Sequence, residues 1–316
     1  MEKELVIGGD LRVCRLGFGA MRITGPGVWG EPRDPNAIRA VLRRAVELGV
    51  NFIDTADAYG PEVSERLIAE TLHPYPADLL VATKGGYVRP GPGRWQHDGR
   101  PEHLRKACEG SLRRLGLEQI DLYQLHAIDE KIPFEESVGA LAELRQQGKI
   151  RHVGLSNVSV EQIERAERIV PVVSVQNRYS LIDRAAKPVL EYCEEKGIAF
   201  ICWFPLEKGA LSRPPRALGR AAGARETPLA AQIALAWLLH QSPATVPIPG
   251  TSSIEHLEEN IRSLEVSLTA EELAALDDYE LRGTRRLRRE LRTATRRART
   301  VIRRRLLTRR QEADRT

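Results

Sequence analysis

Several features that mark other protein classes are missing or scarce in this chain of 316 residues. It has four cysteines, Cys14, Cys108, Cys193 and Cys202, with no C-x-x-C pair among them. That argues against a zinc ribbon, a dithiol redox motif or a disulfide framework, and buried free thiols are expected instead. No apolar run approaches the roughly 18 residues of a membrane span, so the chain is not expected to be transmembrane. The start, MEKELVIGGDLRV, lacks the apolar stretch of a secretory signal, and a cytoplasmic location is expected. The dinucleotide fingerprint G-x-G-x-x-G is incomplete. Gly17-Phe18-Gly19 is followed by Arg22 where the last glycine belongs, and the next helical pattern starts too late to receive a pyrophosphate.

The composition that is present, 42% hydrophobic and 29% charged, is enough to bury a large core and argues against disorder. The formal net charge of +5 is unevenly placed. Residues 281–316 hold fifteen Arg against Glu290, Glu312 and Asp314, a local +12 that leaves −7 on the remainder. The basic character therefore belongs to a tail, and specific nucleic-acid binding by the body has no support from its charge. Within the tail Leu287, Leu291, Ala294, Ala298, Val301 and Ile302 recur at spacings of three or four. This predicts an appended basic segment, either an amphipathic helix able to bind anionic surfaces weakly or a solvated, self-repelling extension.

Between Leu16 and about Leu264, short apolar runs alternate with longer amphipathic segments. Eight runs read as strands: Leu16 to Ala20, Asn51 to Thr55, Leu79 to Lys84, Ile120 to Leu125, Ile150 to Leu155, Val172 to Gln176, Ile198 to Trp203 and Thr245 to Ile248. Each is short and apolar, as strands covered on both faces should be. Helical spacing fills the gaps, as in Asn36 to Leu48, which Gly49 stops. Eight βα units in about 250 residues predict an α/β fold of the (β/α)8 TIM-barrel type, with a doubly wound sheet as the alternative. Ile7 to Val13, turning at Gly8-Gly9-Asp10, reads as an N-terminal β-hairpin plugging the barrel. The expected division is residues 1–280 as the barrel and 281–316 as the extension. Arg22 to Pro35 and Gly85 to Pro101 read as long Gly- and Pro-rich loops carrying Trp29 and Trp95 toward a substrate pocket.

Polar residues at the C-terminal strand ends of a barrel converge on one mouth. Here they are Asp54 and Tyr59 in DTADAYG, Lys84 in VATKGG and His126 in DLYQLH. Singly each has a plain alternative: a helix cap, a packing phenol, or a structural or solvated cation. Together they suit carbonyl reduction. A phenol with a pKa near 10 is a poor proton donor at neutral pH, and an ammonium beside it stabilises the phenolate. Asp54 would hold that lysine, and His126 could orient the carbonyl oxygen.

In these segments, with the same order and strand assignment, the sequence resembles the aldo-keto reductase family from about Val6 to Asp277. The resemblance implies an NADP-dependent oxidoreductase acting on CH-OH groups, which reduces a small aldehyde or ketone. It makes Tyr59 the general acid, Lys84 and Asp54 its tuning pair, and His126 the substrate-orienting residue next to Tyr59, Trp29 and Trp95. The cofactor positions carried over are Gly19, Met21, Asp54, Ser156, Asn157 and Gln176. To these it adds Trp203 as the nicotinamide-stacking ring, and Pro205, Leu206, Gly209 and Leu211 as the pyrophosphate cover. At the last helix it adds Gly250, Thr251, Ser252, Ser253, His256, Glu259 and Asn260. NADPH is the implied cofactor and NADH the alternative. Many members carry Arg or Lys around this last helix for the 2′-phosphate, where this chain has Gly250 and His256.

Two other functions compete at this level. A Schiff-base aldolase would use Lys84 as nucleophile, and a regulatory barrel would bind the dinucleotide without turnover. A metal hydrolase lacks an H-x-H pair, and His152, near the opposite end of its strand, reads as structural.

Overall fold

A computed structural model describes residues 2–207 and 230–278. The extension expected over 281–316, and the domain boundary before it, lie outside the described residues. Eight parallel strands form one sheet: β3 (Phe18–Gly19), β4 (Phe52–Asp54), β5 (Leu80–Gly85), β8 (Ile120–Leu125), β9 (Ile150–Ser156), β10 (Val172–Arg178), β11 (Ala199–Trp203) and β12 (Thr245–Pro247). The two ends meet where the Gly17 amide donates to Pro247 O at 3.0 Å and the Gly19 amide to Pro249 O at 3.3 Å, closing the barrel. That approach needs glycine, since a Cβ on Gly19 would sit 2.6 Å from Ile248 O and one on Gly250 2.3 Å from Gly19 O. The expected strands agree with those observed to within about two residues at each end.

Helices cover the outside for local reasons. The first, α1 (Pro35–Glu47), starts where the Asp34 carboxylate accepts from the amides of Asn36 and Ala37 and Pro35 pre-sets the first turn. It buries Ile38, Val41, Leu42 and Ala45 on one face. The N-terminal hairpin, β1 (Glu4–Ile7) and β2 (Leu11–Cys14), lies under the strands' N-terminal ends. Its Ile7, Leu11 and Val13 form one apolar cluster with Phe52, Leu80, Leu122, Ile201 and Val246. Burying each such side chain contributes about 2 kcal/mol, so the hairpin is part of the core.

The Gly85 to Pro101 segment differs from the expected loop. It forms an antiparallel hairpin, β6 (Tyr87–Gly91) with β7 (Arg94–His97). The Pro90-Gly91-Pro92-Gly93 run is its turn, with Gly93 at φ +68°. The Gly and Pro content reads as loop, and neither short strand alternates between buried and exposed residues along its whole length. Among the described residues no helix is long and apolar enough to cross a membrane.

Candidate active site

The two-residue period of the strands explains why the polar residues converge. Phe52, Leu80, Ala82, Leu122, Ala199 and Ile201 point into the barrel as its apolar filling. Continuing the same parity toward the C-terminal ends gives Asp54, Lys84, Gln124 and Trp203. Three of these four are polar, where the inward positions below them are all apolar. Register aligns the set, with Asp54 opposite Ala82 and Lys84 opposite Gln124.

Lys84 is fully buried, and its three ammonium protons all have acceptors. Nζ donates to Asp54 Oδ1 at 2.6 Å, to Thr55 O at 2.8 Å and to the Tyr59 hydroxyl oxygen at 3.3 Å. Asp54 Oδ2 accepts in turn from Gln176 Nε2 at 2.8 Å and Gln124 Nε2 at 3.0 Å. Because the Tyr59 oxygen accepts from Lys84, its own proton is left to point elsewhere, toward the mouth. The His126 ring stands edge-on to Tyr59 with centroids 5.7 Å apart.

The electrostatics refine the expectation from sequence. Burial raises the Tyr59 phenol above its usual pKa, and Lys84 opposes that shift without overcoming it. The phenol thus holds its proton at neutral pH. Burial alone would lower the Lys84 pKa, but Asp54 and Tyr59 outweigh it and leave it raised, so the amine is an ammonium. Burial, aided by Lys84, His97 and Arg89, holds His126 well below the usual histidine range, so the ring is neutral. Its Nδ1 is buried without a partner, which leaves Nε2 as the nitrogen open to the mouth.

Trp95 faces Tyr59 and His126 at 6.3 Å from each ring and is 37% exposed. Trp29 reaches the mouth through a bridge to Gly60. On the next sector Trp203 Nε1 donates to Asn157 Oδ1 at 3.0 Å. The Asn157 amide donates to Ser156 Oγ and His126 O, with its backbone held at φ +60°. Pro205 and Leu206 follow within a tight turn between Phe204 and Glu207, both at positive φ. Gly209 and Leu211 lie outside the described residues. Across the barrel, Thr251 and Ser252 lead into an eight-residue helix, Ile254–Ile261, whose N-cap Ser253 accepts from the His256 amide at 3.3 Å. Ser252 and His256 are exposed there, Glu259 is half-buried and Asn260 is buried. Met21 is half-buried in the turn after Gly19.

Three neighbours escaped the sequence reading. Gln124 shares the parity of His126 and could have been found by counting back two residues. Tyr87, whose ring centroid is 4.7 Å from that of His126, and Arg89, whose Cζ is 3.7 Å from the centroid of the Trp95 ring, belong to the unexpected hairpin.

Comparison with known proteins gives a consistent picture. The sequence profile described as "Aldo/keto reductase family" matches residues 15–280. An uncharacterized oxidoreductase of Schizosaccharomyces pombe is 52% identical over 270 residues, spanning 85% of this chain and 88% of that protein. A pyridoxine 4-dehydrogenase of Escherichia coli is 42% identical over 281 residues, spanning 85% and 96%. Among solved structures, an aldo-keto reductase from Klebsiella pneumoniae in complex with NADPH superposes with a TM-score of 0.75 at 26% identity, covering 89% of this chain and 95% of the other.

Proposed function

The chain belongs to the aldo-keto reductase family of oxidoreductases, and from that premise we propose that it uses NADPH to reduce the carbonyl of an aldehyde or ketone, with Tyr59 as proton donor. The observation that carries this reading is the saturated ammonium of Lys84. With its three protons committed to Asp54, Thr55 and Tyr59, Lys84 fixes the phenol oxygen and turns the phenol proton outward. The same geometry speaks against Schiff-base chemistry, which needs a free, uncharged amine at Lys84.

The residues present fit a dinucleotide. Gly19 and Gly250 let the backbones of the first strand and of the segment after the last come into contact, which leaves that edge of the mouth bare of side chains. Ser252, Ser253 and the helix start behind them offer hydroxyls and free amides to a phosphate, with His256 beside them. Ser156, Asn157 and Gln176 would hold a carboxamide, with Trp203 beside the ring. Held there, NADPH would supply the hydride for the carbonyl carbon. Tyr59 gives its proton to the carbonyl oxygen, Lys84 stabilises the phenolate left behind, and neutral His126 donates a hydrogen bond from Nε2 that orients the oxygen. Asp54, held by Gln124 and Gln176, keeps the lysine in place.

The test is oxidation of NADPH and of NADH against a panel of aldehydes, ketones and quinones. Pyridoxal belongs in it first, because the E. coli relative is named for pyridoxine. Turnover with at least one carbonyl, faster with NADPH, is expected. Tight NADPH binding with no turnover across the panel would instead favour the regulatory barrel.

A further inference from the structure

Arg89, on the first strand of the hairpin, is an unusual cation. It is 9% exposed and pairs with no carboxylate among the described residues. Its guanidinium instead donates to four backbone carbonyls. Nε reaches Arg94 O at 2.8 Å, Nη1 reaches Val28 O at 2.8 Å and Ala58 O at 2.9 Å, and Nη2 reaches Gly27 O at 2.9 Å. Three of these carbonyls belong to the peptides immediately preceding Trp95, Trp29 and Tyr59. Its Cζ stands 3.7 Å from the centroid of the Trp95 ring and 5.8 Å from that of Trp29.

These residues come from three separate chain segments: the loop after β3, the turn after β4 and the hairpin after β5. Elsewhere in the described structure no side chain joins all three. A fork of fixed donors can bind several carbonyls at set angles, which a point-charge ammonium cannot. Val28, one of the carbonyls bound, sits at φ +56°, a left-handed backbone that a branched residue adopts only when held there.

We propose that Arg89 is a positioning residue for the reaction: it ties Tyr59, Trp29 and Trp95 into one preorganised mouth by clamping the peptide before each. It touches neither the carbonyl nor the cofactor. It acts by fixing where the phenol stands relative to its target and where the indole walls stand around the substrate. The inference rests on the reading of Tyr59 as proton donor. Small displacements of a reacting group cost about a hundredfold, so losing the clamp should lower both kcat, through Tyr59, and substrate affinity, through the two tryptophans.

The experiment compares Arg89→Ala and Arg89→Lys with wild type and Tyr59→Phe for kcat, KM and the NADPH dissociation constant, using the best carbonyl from the panel. Arg89→Ala should lose about a hundredfold in kcat/KM, spread over both parameters, while NADPH binding stays within about twofold. Arg89→Lys should not recover the loss, although it keeps the charge. Free guanidinium at low, non-denaturing concentration should restore part of the Ala variant's rate, and ammonium should not. In a Tyr59→Phe background the kcat effect of Arg89→Lys should vanish, because the two residues act on the same step.

A near-wild-type kcat/KM in Arg89→Lys overturns the proposal, as does a matching loss of NADPH affinity or a folded Ala variant indifferent to guanidinium. If Arg89→Ala does not fold, the Lys variant alone decides by the same criteria. Normal turnover in Tyr59→Phe means the proton-donor reading is wrong. An inactive Tyr59→Phe beside a normal Arg89→Lys removes only the role of Arg89.

Discussion

The two ends of the barrel solve the same problem, turning the chain between strand and helix, with different backbones. At the floor, turns that need positive φ use glycine: Gly8 and Gly9 in the plug, Gly116 and Gly197 at helix C-termini. At the mouth glycines such as Gly27, Gly60, Gly86 and Gly93 do so as well, but there Val28, Glu62, Asn157, Phe204 and Glu207 also take positive φ although none is glycine. The side chains differ in the same way. At the floor, two large polar side chains are tied into the closure. Arg15 donates to Leu239 O, Ser242 O and Thr245 O, and His152 Nε2 meets Asp10 at 2.7 Å. At the mouth, Tyr59 keeps a free proton and His126 an open nitrogen. Non-glycine backbone strain gathered at one end, beside the Tyr59 and His126 side chains, indicates where stability has been given up for function.

Four changes would break or sharpen that contrast, from the largest effect to the smallest. Lys84→Met leaves Asp54 buried without its cation, so it should cost about 3–5 kcal/mol in stability as well as nearly all turnover, read by urea unfolding and NADPH oxidation. A stable, active Met variant would remove the basis for treating the mouth as a committed network. Arg15→Met, at the floor, should cost about 3 kcal/mol through the carbonyls it strands, and leave kcat at 25 °C unchanged. If it depresses kcat while the fold holds, the two ends are not separable.

Asn157→Ala is intermediate. Alanine at φ +60° costs about 1–2 kcal/mol, and the tie to Trp203 is lost. Fluorescence titration should therefore show weaker NADPH binding, and equal affinity would detach Trp203 from the cofactor's place. The smallest effect concerns pH. The depressed pKa of His126 means that its neutral form supports the fold above about pH 6.5, the unfolded histidine value. That support is lost only as pH falls below 6.5 toward the folded value. Between pH 6 and 8 the kcat/KM profile should therefore show no histidine inflection. An inflection there that disappears in His126→Gln would place the ring's titration in the working range.

Much of this contrast was legible in the sequence. The eight strands stood out because parallel strands buried on both faces read as short apolar runs, and Asp54, Lys84 and His126 stood out because they end such runs. The lysine's effect was only half legible: its attraction for a phenolate follows from charge, but the opposing cost of burial depends on how deeply the phenol is enclosed. Arg89 was illegible for a different reason. Its partners are backbone carbonyls, which every residue has, so no residue type at the other end announces the contact. Gly209 and Leu211, expected over the pyrophosphate, and the Arg-rich extension stand on the sequence alone.

On the proposed mechanism, reduction depends on a proton that Tyr59 holds and Lys84 aims. The most direct measurement of that dependence is NADPH oxidation by Tyr59→Phe with a carbonyl that the wild type reduces, alongside the NADPH dissociation constant of both proteins. The pocket keeps its shape and loses only the hydroxyl, so turnover should fall by at least about a hundredfold while NADPH binds as before. A Phe variant that binds NADPH normally and reduces the carbonyl at close to the wild-type rate would contradict it.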